Sequence, residues 1–250
     1  PMSRFSQRSA IVTGAAAGIG RATAQLLAAE GAAVAVFDIA EAGAQETAQA
    51  IEASGGRAFV RVCDISDPGS VRESVAAARE ALGPLSVLCN VAGLQQWTRI
   101  EDTSYELWSR ILGINLTGTY LMSQAALPHL VETRGAIVNV ASSAGLRGLA
   151  YSVPYCASKG GIVMLTQSMS KELSDRGVRV NAVAPGGTLT GMMGLPMPEQ
   201  ASPEVMKSFP KSNLSPAKPE QIASVIAFLA SEEASNVNGT VLPVDGGMIA

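Results

Sequence analysis

The chain is short of charge. Only 16% of its 250 residues are Asp, Glu, Lys or Arg, and the formal net charge is -3. It has no polybasic run, so the electrostatic footprint of a nucleic-acid or anionic-membrane partner is missing. No apolar stretch approaches the roughly 20 residues that a membrane-crossing helix needs. Cysteine is scarce. Cys63, Cys89 and Cys156 are odd in number and fit no metal-ligand spacing, so no metal site is expected. Cys63 and Cys89 end apolar runs, where a thiol behaves as a small buried hydrophobe. Cys156 follows Tyr155, but adjacent helical residues point in different directions. A reducing, cytoplasmic compartment is expected. The single histidine, His129, follows Pro128 near a helix end and reads as structural. The opening residues reach a strand-like segment at once, without an apolar leader core or cleavage site, so no secretory signal is expected.

What is present is a steady alternation of two patterns. Short apolar runs fall at 8–13, 33–38, 57–63, 85–89, 135–141, 178–184 and 240–244. Their nearly continuous apolar character suits parallel strands covered on both faces. Amphipathic stretches separate them. Ile19, Ala22, Leu26 and Ala29 repeat at helical spacing, and Gly31 is placed to end that helix. Thr103 and Glu106 have capping-box spacing, while Asp67-Pro68 and Lys218-Pro219 read as helix starts. Strands alternating with helices predict an α/β, doubly wound sheet with right-handed crossovers. No repeat, low-complexity tract or linker divides the chain, so one domain over 1–250 is expected. Residues 187–217 break the regularity. They are rich in Gly, Pro, Met and Ser, and hold Met192, Met193, Met197 and Met206. Such a stretch predicts a substrate loop or lid.

The sequence TGAAAGIG at 13–20 follows the first strand and opens the first helix. Gly14, Gly18 and Gly20 allow a tight turn, close approach to a pyrophosphate and close helix–strand packing. Around Ile19 the helix N-terminus turns its free N–H groups to the phosphates. Asp38 ends the second strand eighteen residues after Gly20. A carboxylate there accepts hydrogen bonds from adenosine ribose hydroxyls and repels a 2′-phosphate. Ile39 and Ala40 follow and offer no positive charge, so NAD is expected rather than NADP. Asp64 and Ile65 end the third strand, with Asp64 placed for the adenine edge. Asn90, Ala92 and Gly93 end the fourth, where small residues let a cofactor lie against the backbone. Both segments also fit ordinary turn chemistry.

Tyr155 and Lys159 stand four apart, which puts them on one helix face. A free phenol, with a pKa near 10, is a poor base at neutral pH. A nearby ammonium favours the phenolate and is expected to lower that pKa. Ser142 follows the fifth strand, thirteen residues before Tyr155, and its hydroxyl is placed to hold a substrate oxygen; Ser143 competes for that role. Asn115 is a polar residue among apolar neighbours and needs partners if buried. It is suited to holding a water or a backbone carbonyl that links Lys159 to solvent.

These segments, with NAVAPG at 181–186 and VDGG at 244–247, resemble the short-chain dehydrogenase/reductase family in order and over almost the whole chain. The resemblance implies a single Rossmann domain with a seven-stranded parallel sheet. It implies a catalytic set of Ser142, Tyr155 and Lys159, with Asn115 completing a proton relay. It places Lys159 also on the nicotinamide ribose, and Pro185 and Gly186 beside the nicotinamide. Thr188 gives backbone contacts and Thr190 binds the carboxamide. It further implies a homodimer or homotetramer that uses helices around 104–130 and 155–175. Val91 stands where the family often has a second Asn. Gly187 and Leu189 replace bulkier and acidic residues, which leaves the start of the substrate loop less defined.

The expected activity is NAD-dependent interconversion of a secondary alcohol and a ketone, with Tyr155 as general acid/base. Leu94, Gln95, Trp97, Leu146, Tyr151, Val153, Met192 and Met193 flank the family's nicotinamide positions and predict a mostly apolar pocket for a small-molecule substrate. No Arg or Lys is clearly placed there to bind a carboxylate or phosphate; Arg99 and Arg147 are the candidate exceptions, each expected at the surface, and a medium-sized apolar or cyclic secondary alcohol or ketone is the expected substrate. Alternatives are an NAD sensor without turnover, an enoyl-thioester reductase or sugar epimerase, and a ketoacyl-thioester reductase. A sensor has no need of Asn115, Ser142, Tyr155 and Lys159 as a set. Asp38 and the mild acidity speak against the NADP-linked ketoacyl branch.

Overall fold

The computed structural model describes residues 4–212 and 214–250. The apolar runs form β1 (Ser9–Thr13), β2 (Ala33–Asp38), β3 (Arg57–Val62), β4 (Leu85–Asn90), β5 (Ala136–Val140), β6 (Arg179–Pro185) and β7 (Val241–Val244). Every pairing is parallel, in the order β3-β2-β1-β4-β5-β6-β7. Successive strand residues feed opposite faces, as a period of two requires. Ala10, Val12, Val34 and Val36 pack into one core, while Ile11, Ala35 and Phe37 pack into the other. Burial on both sides is why the strands lack polar alternation.

The helices that cover these faces are α1 (Gly18–Ala29), α2 (Glu41–Ala53), α3 (Pro68–Leu82), α4 (Tyr105–Leu112), α5 (Gly118–Thr133), α6 (Ser143–Leu146), α7 (Val153–Glu172), α8 (Pro203–Lys207) and α9 (Pro219–Ala230). Leu27 of α1 and Ile226 of α9 join the first core; Val75 of α3 and Met122 of α5 join the second. No helix among the described residues is long and apolar enough to cross a membrane. Asp67 caps α3 by accepting from the Gly69 N–H at 2.8 Å. The cap of α4 differs from expectation. Ser104, not Thr103, accepts from Leu107 N–H at 3.1 Å, because the Thr103 hydroxyl donates to the Arg99 carbonyl at 2.8 Å. Between α4 and α5 the chain continues through a π-helical turn, Gly113–Thr117, which holds Asn115.

The strand order reverses between β1 and β4. Chains leaving their C-terminal ends therefore diverge and open a crevice. The segment 187–217 is less irregular than its composition suggests. Its base is closed by Leu189 N–H to Ala217 O (2.8 Å) and Ala217 N–H to Gly187 O (2.9 Å), and α8 forms within it.

Candidate active site

A groove of about 790 Å³ runs over the C-terminal ends of the strands. Its floor begins with the glycine turn. Gly14 has φ +66°, and a Cβ there would come within 2.7 Å of the Ala92 backbone. At Gly20 a Cβ would meet the Gly14 carbonyl oxygen at 2.0 Å. Thr13 holds the facing loop: its Oγ1 accepts from the N–H groups of Val91 (3.0 Å) and Ala92 (3.1 Å). No side chain caps α1, so Gly18 and Ile19 bring a bare helix N-terminus to the groove. That geometry suits an anionic pyrophosphate.

Asp38 lies on the groove with both carboxylate oxygens anchored. Oδ2 accepts from Ala16 N–H and Oδ1 from Ala40 N–H, each at 2.9 Å. Ile39 and Ala40 line the groove beside it. Arg21, on nearby α1, is turned to the Ala16 carbonyl and to Glu46. Asp64 and Ile65 also line the groove, with Asp64 Oδ1 accepting from the Ser66 N–H and hydroxyl. Ala92, Gly93, Pro185, Gly186, Thr188 and Thr190 complete this stretch. Asn90 departs from expectation: its side chain lies within the fold. Nδ2 donates to Ser123 Oγ (3.1 Å) and Asn139 Oδ1 (2.9 Å), because the last residue of β4 points its side chain between α5 and β5.

At the other end, α7 sets Tyr155 and Lys159 one turn apart, with Nζ 5.6 Å from the ring centroid. Lys159 is buried and donates to the Val140 carbonyl at 2.7 Å. Burial lowers its pKa to about 8. The expected lowering of the tyrosine is reversed here. Burial pushes the phenol up to about 12, against the opposing pull of the Ser142 hydroxyl. The ammonium is directed at a backbone carbonyl, and desolvation disfavours the charged form of both groups. The two candidate serines separate cleanly. Ser142 caps α6, accepting from Ala144 N–H at 3.1 Å, and interacts with the phenol; Ser143 Oγ faces Met248 Sδ at 3.7 Å.

Asn115 is fully buried and does not line the groove. Its Oδ1 accepts from Leu94 N–H (2.7 Å), and its Nδ2 donates to Leu94 O (2.9 Å) and Ser158 Oγ (3.0 Å). The side-chain amide thus has no N–H left for a water that would lead to Lys159.

Of the expected substrate-side residues, Leu94, Gln95, Trp97, Met192 and Met193 line the groove. Gln95 is buried, donates through Nε2 to Ser152 Oγ at 3.0 Å, and leaves Oε1 without a partner among the described residues. Leu146 and Val153 are exposed and, like Tyr151, do not line it. Tyr151 instead anchors the 187–217 segment, its hydroxyl accepting from Ser202 N–H at 2.7 Å. Ile114, Leu149, Phe209 and Arg110 also line the wall, at positions no sequence pattern marks. Phe209 meets Trp97 with ring centroids 6.0 Å apart, a contact between residues too distant in sequence to carry any local signal. The two arginines also part. Arg99 pairs with Glu101, Asp102 and Gln200, whereas Arg147 lines the groove.

The parallel sheet, the crevice at its reversal and the glycine turn together define a dinucleotide-binding oxidoreductase. A family model described as enoyl-(acyl carrier protein) reductase matches residues 14–249. The chain is 43% identical over 249 residues to cis-4-hydroxycyclohexanecarboxylate dehydrogenase of Sinomonas cyclohexanicum, covering 98% of each chain. It is 38% identical over 247 residues to meso-2,3-butanediol dehydrogenase of Serratia marcescens, covering 99% of this chain and 96% of that one. A crystal structure of a short-chain dehydrogenase from Mycobacterium paratuberculosis bound to NAD superposes with a TM-score of 0.90 at 31% identity, covering 97% of this chain and 98% of that one. The chain belongs to the short-chain dehydrogenase/reductase family.

Proposed function

We propose that this protein interconverts a small secondary alcohol and its ketone with NAD, using Tyr155 as general acid/base. The observation that carries the reading is the convergence of Ser142, Tyr155 and Lys159 at one end of the glycine-turn groove. The bound nicotinamide supplies the hydride acceptor or donor. The chain supplies the rest. With its phenol pushed up to about 12, Tyr155 is protonated at neutral pH, the form that donates to a ketone oxygen. In oxidation its phenolate form accepts the hydroxyl proton, and the positive charge of Lys159, 5.6 Å from the ring centroid, favours that form over the phenol. Ser142 hydrogen-bonds the same oxygen. Asn115 acts as a positioning residue that holds the Leu94 loop against α7.

The cofactor fits the residues present. Gly14, Gly18, Ile19 and Gly20 take the pyrophosphate, and Asp38 takes the adenosine ribose. Asp64 and Ile65 flank the adenine, while Asn90 supports the wall from within. Ala92 and Gly93 give a flat backbone surface. Lys159 meets the nicotinamide ribose, with Pro185, Gly186, Thr188 and Thr190 beside the nicotinamide. The 187–217 segment serves as the substrate loop of a single domain; Met192 and Gln95 face the substrate, and Tyr151 holds the loop. A homodimer or homotetramer in a cytoplasmic compartment is the accompanying assignment. The names of the two relatives point to compact diols and cyclic hydroxy acids as the first substrates to try.

The family model's description favours a second reading, reduction of an enoyl thioester. The four-residue spacing of Tyr155 and Lys159 and the glycine pattern at 13–20 suit the alcohol/ketone chemistry better. A nicotinamide-absorbance screen over secondary alcohols, ketones and an enoyl thioester tests both. Turnover of an alcohol or ketone is expected. Turnover of the enoyl thioester alone, or of nothing across the panel, overturns the reading.

A further inference from the structure

The groove carries charge unevenly. Its carboxylates, Asp38 and Asp64, sit at the ends of β2 and β3 and are held by backbone N–H groups. On the other side of the sheet reversal lies Arg147, which forms no ion pair or side-chain hydrogen bond among the described residues. Arg99, by contrast, is neutralised by Glu101 and Asp102. Arg147 directly follows the single turn of α6, and Ser142 caps the start of that same turn. Five residues at a rise of about 1.5 Å put the two Cα atoms about 8 Å apart. The turn therefore fixes the Arg147 backbone relative to the hydroxyl proposed to hold the reacting oxygen, and the long side chain spans the remaining distance to a ligand. Leu149, Trp97 and Met192 supply apolar wall in the same groove. Arg147 is exposed at the rim of the groove, where it can meet a ligand entering from solvent, and no carboxylate among the described residues pairs with it.

We propose that Arg147 is the anion-binding residue of the substrate pocket, and that the substrate is a hydroxy acid or keto acid. Its carbinol carbon and carboxylate are separated by a small carbon skeleton such as one ring. The planar fork of a guanidinium matches a carboxylate bidentately. This proposal rests on the alcohol/ketone reading above and adds the chemical class of the substrate.

The test compares cis-4-hydroxycyclohexanecarboxylate with its carboxamide, which keeps the size and removes the charge, at saturating NAD. The wild type is expected to favour the carboxylate in kcat/KM by about 30-fold, the scale of a charge-assisted hydrogen-bonded pair. In Arg147→Gln that ratio should collapse to within a few-fold, mainly through KM. Arg147→Lys should recover part of it, since an ammonium keeps the charge and loses the fork. Arg110 also lines the groove without a partner among the described residues, so Arg110→Gln is the comparator. A wild-type ratio near one, an unchanged ratio in Arg147→Gln, or a collapse in Arg110→Gln alone overturns the proposal. Turnover of neutral alcohols with no carboxylate preference sinks the anion site and leaves the alcohol reading standing. Should neither ring substrate turn over, calorimetric binding of cyclohexanecarboxylate to the NADH-loaded protein decides. Binding weakened about 30-fold by Arg147→Gln supports the site, and absent or unaltered binding overturns it.

Discussion

Asn115 and Ser158 are joined by a 3.0 Å hydrogen bond from Nδ2 to Oγ, and Ser158 Oγ donates in turn to the Tyr155 carbonyl at 2.7 Å. The π-helical turn that carries Asn115 is thereby fixed to the helix that carries Tyr155 and Lys159. The same amide clamps both backbone groups of Leu94 on the loop after β4. Asn115→Ala leaves the half-buried Leu94 N–H and carbonyl without their side-chain partner. Each such group costs about 1–3 kcal/mol. Urea unfolding of Asn115→Ala should therefore show a loss of roughly 2–4 kcal/mol. Its kcat should fall more than its NAD affinity, since the clamp orients α7 and lies outside the groove.

Tyr155→Phe removes the proton-handling oxygen and keeps the ring. Turnover should fall by about three orders of magnitude, within the range of general acid–base contributions. NADH fluorescence titration should show nearly wild-type cofactor binding. Turnover close to wild type would remove Tyr155 from the mechanism.

Asp38 should set cofactor choice. The wild type is expected to use NAD about 100-fold more efficiently than NADP, a difference read from kcat/KM with each cofactor. Asp38→Ala combined with Ile39→Arg removes the repulsion and supplies a cation, and should invert the preference. More efficient use of NADPH than NADH by the wild type would contradict the role given to this carboxylate.

Gly14→Ala tests the tight turn. The new methyl would fall 2.7 Å from the Ala92 backbone at a residue with φ +66°. A side chain in that conformation costs more than about 1 kcal/mol, and neither backbone segment can retreat without opening the groove. NAD affinity should drop at least about 10-fold, with a lower unfolding midpoint. Equal affinity in the variant would mean that the turn does not form the pyrophosphate floor.

Lys159 gives a pH-dependent signature. Its pKa falls from 10.5 to about 8 on burial, so between those values the unfolded chain holds a proton that the native protein lacks. Native stability from this group is present above pH 10.5 and is lost as pH falls through about 8. Lys159→Met lacks the titration. From pH 7.5 to 9.5 the wild type should gain up to about 2 kcal/mol relative to the variant in urea unfolding. A constant difference across that window would place the ammonium in contact with water.

The strands were legible because each is apolar through its length, a property of the residues themselves. All seven expected strands have ends within one residue of those observed. The glycine turn, Asp38 and the Tyr155–Lys159 pair were equally legible, since their spacing along one strand end or one helix face is local. The α4 cap falls one residue beyond the position its spacing predicts, because Thr103 and Ser104 offer the same hydroxyl and only the turn at Arg99 decides which is free. Sequence position alone puts Asn90 and Tyr151 near the ligand, yet one side chain turns into the fold and the other holds Ser202. The wall formed by Trp97 and Phe209 had no signal in the sequence at all.

By itself the sequence determined a parallel doubly wound sheet, a dinucleotide turn and a tyrosine–lysine pair on one helix. Each is written in periodicity or short spacing. Only the tertiary structure decided that Ser142 rather than Ser143 addresses the phenol, that burial raises the Tyr155 pKa instead of lowering it, and that Arg147 stands unpaired on the groove while Arg99 is neutralised. Those outcomes depend on desolvation and on contacts between segments far apart in the chain, which no local pattern encodes.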